Sequence, residues 1–259
     1  MHGYRFRLPL DVLLRLEGLE LTAHQLRTFL GAYWFMSIAT NDQPELVLAN
    51  SARPKTIRAA ELRAEIGTPG CNDSRWLRNS LRGLRSAGLF TMLELPDNGR
   101  RFTFQLHRKV GEDSLKPKVF APLYTGHIQR CRTSCDILFY CRAAMVAGRN
   151  WPKFDLPGIG DQAPARPWSL CRDGWLRAAM RVSEMLDHSY LLGPVTGAFD
   201  VRPSRVEVKV QHDKTSWSPG KLYKFPVGTR PYAVKNGQRS GTLDADELKR
   251  RIGHTEITL

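Results

Sequence analysis

At 259 residues, with 42% hydrophobic and 25% charged side chains, the chain has the composition of a folded protein with room for one large domain or two ordinary ones. Five cysteines without a disulfide-type spacing, no secretory opening and no apolar run near the ~20 residues of a membrane span argue against a secreted scaffold or a membrane protein. They point to a cytoplasmic protein with reduced thiols. The formal charge is +14, and it is uneven: residues 1–52 carry −1, 53–109 carry +7, 110–200 carry +2 and 201–259 carry +6. Both basic blocks contain an expected hairpin, and over the chain arginine predominates over lysine. Focused positive charge of this kind suits a polyanion, most commonly the phosphate backbone of nucleic acid.

Residues 4–16 start extended and pass into a short helix. Leu21–Thr40 reads as a longer helix, with Thr22 as its cap and Leu26, Phe29, Leu30, Tyr33, Trp34 and Ile38 on the buried side. After a break at Asn41–Pro44, Glu45–Ala49 reads as a short strand. Thr56–Ile66 reads as a small helix closed by Gly67. It takes the first-helix position of a helix-turn-helix, with Thr68-Pro69-Gly70 as the turn.

The most informative stretch is Asp73–His107. Leu77, Leu81 and Leu84 recur at helical spacing as a core-facing stripe, while Arg75, Arg78, Arg82 and Arg85 fall together on another face. Those four charges have no glutamate partner at i±4, which a merely solvated face usually has. Asn72 or Asp73 is placed to cap the start, and Gly88 to end the helix. Two alternating segments follow, joined across Pro96-Asp97-Asn98-Gly99-Arg100, where Asn-Gly supplies the positive φ of a hairpin turn. A short helix, a turn, an arginine-faced helix and a basic hairpin make a winged helix-turn-helix.

Val110–Pro122 reads as a polar connection. Thr125–Gly148 reads as one long helix, apolar at Ile128, Cys131, Cys135, Leu138, Phe139 and Met145. Asn150–Pro167, rich in proline and glycine, reads as an irregular loop. Trp168–Asp187 is a further helix and Arg205–Gln211 an alternating strand, with Lys221–Val227 as its partner or an extra strand. A short helix near Leu243–Ile252 precedes a loose end. Trp76-Leu-Arg-Asn-Ser-Leu-Arg82 returns as Trp175-Leu-Arg-Ala-Ala-Met-Arg181, each time after a long helix and ahead of strands.

The fold class expected is therefore α+β, two winged helix-turn-helix domains in tandem. Domain 1 spans 1–110, with a recognition helix at 73–87 and a wing at 89–107. A linker at 111–122, a winged-helix-like domain 2 at 123–230 and a basic C-terminal tail at 231–259 complete the chain. The DNA-binding residues expected are Arg75, Arg78, Asn79, Arg82 and Arg85 toward the major groove or its phosphates, and Arg100 and Arg101 on the wing. Domain 2 would add Arg177, Arg181, Arg205, Lys209 and Lys214. Glu184 weakens its helix as a reader, and Lys221 and Lys224 compensate.

The order of elements resembles the iteron-binding replication initiators of plasmids. Arg132-Thr-Ser-Cys-Asp-Ile-Leu-Phe-Tyr-Cys-Arg142, Trp175-Leu-Arg-Ala-Ala-Met-Arg-Val-Ser-Glu-Met-Leu-Asp-His188 and the strand Arg205–Gln211 carry the likeness. In that family the matching segments are the long helix opening the second domain, the recognition helix and the wing. The resemblance implies binding to repeated DNA sites, chiefly through the second domain, with dimerisation through the first. Here the more arginine-rich helix lies in the first.

Enzymatic chemistry finds no support. There is no Gly-x-Ser-x-Gly elbow, no phosphate loop with Gly-Lys-Ser/Thr and no paired carboxylates suited to two metals; Gly158-Ile-Gly160 reads as a turn. The carboxylates Asp11, Glu17, Glu20 and Asp244, Asp246, Glu247 fit helix starts or solvated faces, and His107 or His188 alone does not make an RNA-cleaving site. His127, Cys131 and Cys135 at i, i+4, i+8 are the sharpest metal alternative, although one straight helix is poor geometry for zinc. No cofactor is implied. The reading is a non-enzymatic, sequence-specific duplex DNA-binding protein of the replication-initiator type, associated with plasmid or nucleoid. Its partners are DNA and a second copy or other proteins. A transcriptional regulator and the DNA-probing subunit of a defence or transposition complex are the competing readings.

Overall fold

The computed structural model describes residues 4–39, 51–67, 75–115, 119–149, 152–159, 166–196, 202–211, 225–226 and 229–242. The chain divides into two compact units, residues 1–137 and 138–259.

The first unit opens with strand β1 (Arg5–Pro9), whose alternate residues Phe6 and Leu8 are fully buried. Helix α1 (Leu10–Glu17) follows and buries Val12, Leu13 and Leu16. Helix α2 (Ala23–Ala39) begins in a capping box: Thr22 Oγ1 accepts from the Gln25 amide at 3.3 Å and Gln25 Oε1 accepts from the Thr22 amide at 2.7 Å. Thr22 is thus the cap its sequence announces. Leu26, Phe29, Leu30, Tyr33 and Trp34 are buried as expected, whereas Ile38 in the last turn is 43% exposed. Strand β2 (Lys55–Arg58) and helix α3 (Ala59–Ile66) share the segment expected to be helix alone, because Thr56 and Ile57 are taken up in pairing with Thr103 and Phe102. Helices α2 and α3 meet at Gly31, where the side chains of Leu62 and Ile66 fill the space a β-carbon would need.

Helix α4 (Arg75–Ser86) leads into β3 (Phe90–Glu94), a tight turn at Pro96–Gly99 and β4 (Arg101–Leu106). Gly88 takes φ +66° and ends α4, as expected; Asp97, Asn98 and Gly99 all take positive φ, which reverses the chain between the strands. The sheet order is β2-β4-β3, antiparallel throughout. Phe29 stands edge-on to Phe90 at 5.8 Å and Phe90 to Phe104 at 6.2 Å, which joins α2 to the sheet. Helix, strand, helix, helix and hairpin in this order form a winged helix. The cap expected at Asn72 or Asp73 and the strand at Glu45–Ala49 lie outside the described residues.

The described residues on either side of 116–118 belong to regular elements more than to an open connection. Helix α5 (Arg108–Asp113) is capped by His107, whose Nδ1 accepts from the Lys109 amide, and is tied to α1 by an Arg15–Asp113 ion pair at 2.7 Å. Strand β5 (Phe120–Tyr124) then pairs antiparallel with β1. The long helix expected over 125–148 is two: α6 (Thr125–Arg130) and α7 (Ser134–Val146). The buried Asp136 carboxylate accepts from the amides of Arg132 and Thr133, and Thr133 Oγ1 accepts from the Asp136 amide. This is a capping arrangement inside an unbroken apolar pattern. The unit boundary falls within α7.

In the second unit, β6 (Lys153–Asp155) arises inside the proline-rich stretch by pairing with β8 (Pro203–Gln211). Helix α8 (Trp168–Leu186) ends at Asp187 with φ +54°. The partner of β8 on its other side is β7 (Ser189–Thr196); the expected partner Lys221–Val227 falls mostly outside the described residues. Residues expected to be tail form the hairpin β9 (Tyr232–Lys235) and β10 (Gln238–Thr242), while 243–259 are outside the described residues. The sheet order is β10-β9-β7-β8-β6. Its β6-β8-β7 part repeats the β2-β4-β3 arrangement of the first unit.

Candidate nucleic-acid interface

The sequence of α4, Arg-Trp-Leu-Arg-Asn-Ser-Leu-Arg-Gly-Leu-Arg-Ser, contains no carboxylate. Trp76, Leu77, Ser80, Leu81 and Leu84 are buried, and Arg75, Arg78, Asn79, Arg82 and Arg85 are all exposed. Each buried leucine contributes about 1.5–3 kcal/mol of transfer free energy, so packing rather than intrinsic propensity holds this helix in place. Gly83 faces α2, and the Gln25 side chain occupies the position a β-carbon would take there.

Two of the arginines also brace the helix to its own hairpin. Arg78 Nη2 donates to the Asn98 carbonyl at 3.0 Å. Arg85 Nε and Nη2 both donate to the Leu93 carbonyl, at 3.3 and 3.0 Å. A guanidinium has five N–H groups in a planar fork, so each retains donors directed elsewhere. The hairpin tip adds Arg100 and Arg101, both exposed, with Arg101 Nε 3.2 Å from Asp97. Helix and wing thus form one cationic surface whose parts are fixed relative to each other. The bracing was not legible in the sequence, because the acceptors are backbone carbonyls of the hairpin.

The second unit distributes its charge differently. Arg177 on α8 is exposed and Arg181 half-buried, with exposed Glu184 on the same helix. Arg172 and Arg239 both lie against Asp173, at 3.3 and 3.5 Å. Hydrogen bonding to Arg172 holds the Asp173 carboxyl below its ordinary pKa. On β8, Arg205 is exposed, with Nη2 4.0 Å from Glu207.

Lys209 corrects the expectation for this strand. Only 7% exposed, its Nζ is 3.4 Å from Glu207 and 4.2 Å from the centre of the Phe225 ring. Burial pushes its pKa down and Glu207 opposes that shift. A lysine so enclosed does not face a nucleic acid; it neutralises a carboxylate on a covered sheet face. Lys214, Lys221 and Lys224 lie outside the described residues.

The metal alternative also fails on geometry. The break at Cys131–Thr133 destroys the single helix face that His127, Cys131 and Cys135 would share. Among the described residues no three His, Cys, Asp or Glu side chains are placed to hold a metal ion. Cys131 is fully buried, and its carbonyl accepts from Arg27. Of the histidines considered singly for RNA cleavage, His107 caps α5, and His188 lies beside Tyr190, ring centres 6.2 Å apart.

No family model and no curated protein matches the chain. A solved structure, the Pi initiator protein in complex with iteron DNA, is similar with a TM-score of 0.54 at 12% identity, over 81% of this chain and 98% of that one. The likeness is one of fold: α+β, with two winged helices in tandem. The resemblance read from the order of elements is met at that level. Among the described residues no helix is long and apolar enough to cross a membrane.

Proposed function

We propose that this chain binds duplex DNA sequence-specifically, as a plasmid-type replication initiator binding repeated sites, and does so without catalysis of its own. The observation that carries the reading is α4: four exposed arginines with exposed Asn79, no carboxylate, and a rigid attachment to a basic hairpin. Such a helix fits the major groove, where an arginine can grip guanine through two hydrogen bonds while its neighbours hold phosphate. Arg75, Arg78, Asn79, Arg82 and Arg85 are assigned to that contact, and Arg100 and Arg101 to phosphate or the minor groove beside it. Arg177, Arg181 and Arg205 supply a weaker second contact.

The fold likeness to an initiator solved on iteron DNA supports repeated sites as the target. Self-association or assembly with other proteins on the DNA, in a cytoplasmic setting with plasmid or nucleoid, accompanies this reading. The test is fluorescence-anisotropy titration against duplexes selected for binding, at fixed salt. Arg78→Ala with Arg82→Ala should lose specific affinity by about 100-fold or more, since each base-edge contact is worth ~1–3 kcal/mol, with the melting curve shifted only by loss of the exposed Arg78–Asn98 hydrogen bond, about 1 kcal/mol or less. Unchanged affinity in that variant would refute the assignment.

A further inference from the structure

The first unit carries a second cationic surface, away from α4 in sequence. The opening segment Tyr4-Arg-Phe-Arg-Leu-Pro9 alternates in sequence, and Phe120-Ala-Pro-Leu-Tyr124 alternates in burial. Pairing of β1 with β5 sets Arg5 opposite Tyr124 and Arg7 opposite Pro122. Phe6, Leu8, Ala121 and Leu123 point inward and are fully buried. The other face therefore presents Arg5 and Arg7 beside Phe120, Pro122 and Tyr124. The Arg7 guanidinium carbon lies 4.7 Å from the Phe120 ring centre and that of Arg5 5.9 Å from Tyr124, which is itself 40% exposed. The His127 ring flanks Tyr124 at 5.5 Å. Among the described residues neither Arg5 nor Arg7 is ion-paired to a carboxylate.

We propose that this outer face of the β1–β5 ribbon is a platform for single-stranded nucleic acid. Two arginines two residues apart on a strand stand about 6.8 Å apart, close to the spacing of successive phosphates along one nucleic-acid strand. The rings between and beside them offer flat apolar surface on which an unpaired base can stack, with the guanidiniums adding cation–π attraction. Bases in a duplex are already stacked on each other, so duplex DNA can use only the cations of this face. Exposed Arg130 and Arg132, just beyond β5, extend the positive field. This proposal is independent of the duplex-reading role assigned to α4.

The test uses the full chain and fluorescein-labelled oligothymidylate, with a duplex of random sequence in parallel. Wild type should bind the oligothymidylate with a salt-dependent affinity. Arg5→Gln with Arg7→Gln should weaken that binding about tenfold or more and reduce its log–log salt slope by about 1.4, the share of two phosphates. Tyr124→Leu should weaken it comparably without changing the slope, and Arg5→Lys with Arg7→Lys should restore the slope but not the full affinity. The melting temperature should stay at its wild-type value in all three; duplex affinity should be unchanged by Tyr124→Leu and should fall far less than oligothymidylate affinity when the arginines become glutamine, while Arg78→Ala with Arg82→Ala should spare oligothymidylate binding. Absence of oligothymidylate binding by wild type, wild-type binding by the ribbon variants, or a proportional loss of duplex affinity in them would each overturn the proposal.

Discussion

The two units share one frame and use it differently. A constant offset brings Trp76 onto Trp175, Leu77 onto Leu176, Gly88 onto Asp187 and the first residue of β3, Phe90, onto the first of β7, Ser189. Both tryptophans are 5% exposed, both leucines are fully buried, and Gly88 and Asp187 both take positive φ. At the next turn of the helix the offset sets Arg85 against Glu184. Arg85 donates to a carbonyl of its own hairpin, whereas Glu184 lies against Gly237 in the turn between β9 and β10. In the first unit the helix is tied to a wing and its cations remain outward. The second spends polar groups on docking an additional hairpin beside β7. Burial patterns make the fold, and a few charge choices on the outer side of one helix set the two copies apart.

If the frame is shared, truncating its common core residue should damage both copies alike. Leu77→Ala and Leu176→Ala are each expected to cost about 2–5 kcal/mol, read as two separate losses in chemical denaturation. A large cost at only one would break the equivalence. The added hairpin should have its own weak point at Gly237, where φ is +74° and Glu184 occupies the β-carbon position. There Gly237→Ala should cost about 1–2 kcal/mol, and Glu184→Ala should recover part of it.

The core of the second unit offers two smaller tests. Among the described residues, the hydroxyl of fully buried Tyr190 in β7 has no hydrogen-bond partner, so Tyr190→Phe should leave stability unchanged or raise it by up to about 1 kcal/mol. The smallest effect concerns Asp155, directly across from Glu207. Burial raises its pKa, which Arg205 opposes. A carboxyl with a raised folded-state pKa contributes stability below its unfolded value and loses it as pH rises through the folded value. Asp155→Asn should therefore raise the melting temperature at neutral pH and lose that advantage in acid. A pH-independent change would assign the effect to packing instead.

How much of this was legible follows from which contacts are local. The leucine stripe and arginine face of α4, the Gly88 stop, the Pro96–Gly99 turn and the Thr22 cap are encoded within a few residues and appear where the sequence puts them. Strand β1 pairs with a segment more than a hundred residues on, and β6 has three residues whose strand character depends on β8. Neither pairing is marked within a few residues, although β1 itself alternates and reads as extended. The break between α6 and α7 was encoded by Thr133 and Asp136, but the apolar spacing continues across it and masks the cap. Lys209 misled because Arg-Val-Glu-Val-Lys alternates like a strand with one wet face. Its cover, Phe225, arrives from further along the chain, and β8 is buried on both sides through its middle.

The unequal division between the two helices is tested most directly by one paired titration on a single selected duplex at one salt concentration. Arg78→Ala with Arg82→Ala and Arg177→Ala with Arg181→Ala would be compared with wild type. Loss of specific binding is expected for the first pair and a reduction of no more than about tenfold for the second. Loss confined to the second pair, with the first at wild-type affinity, would contradict this division and make α8 the reading helix.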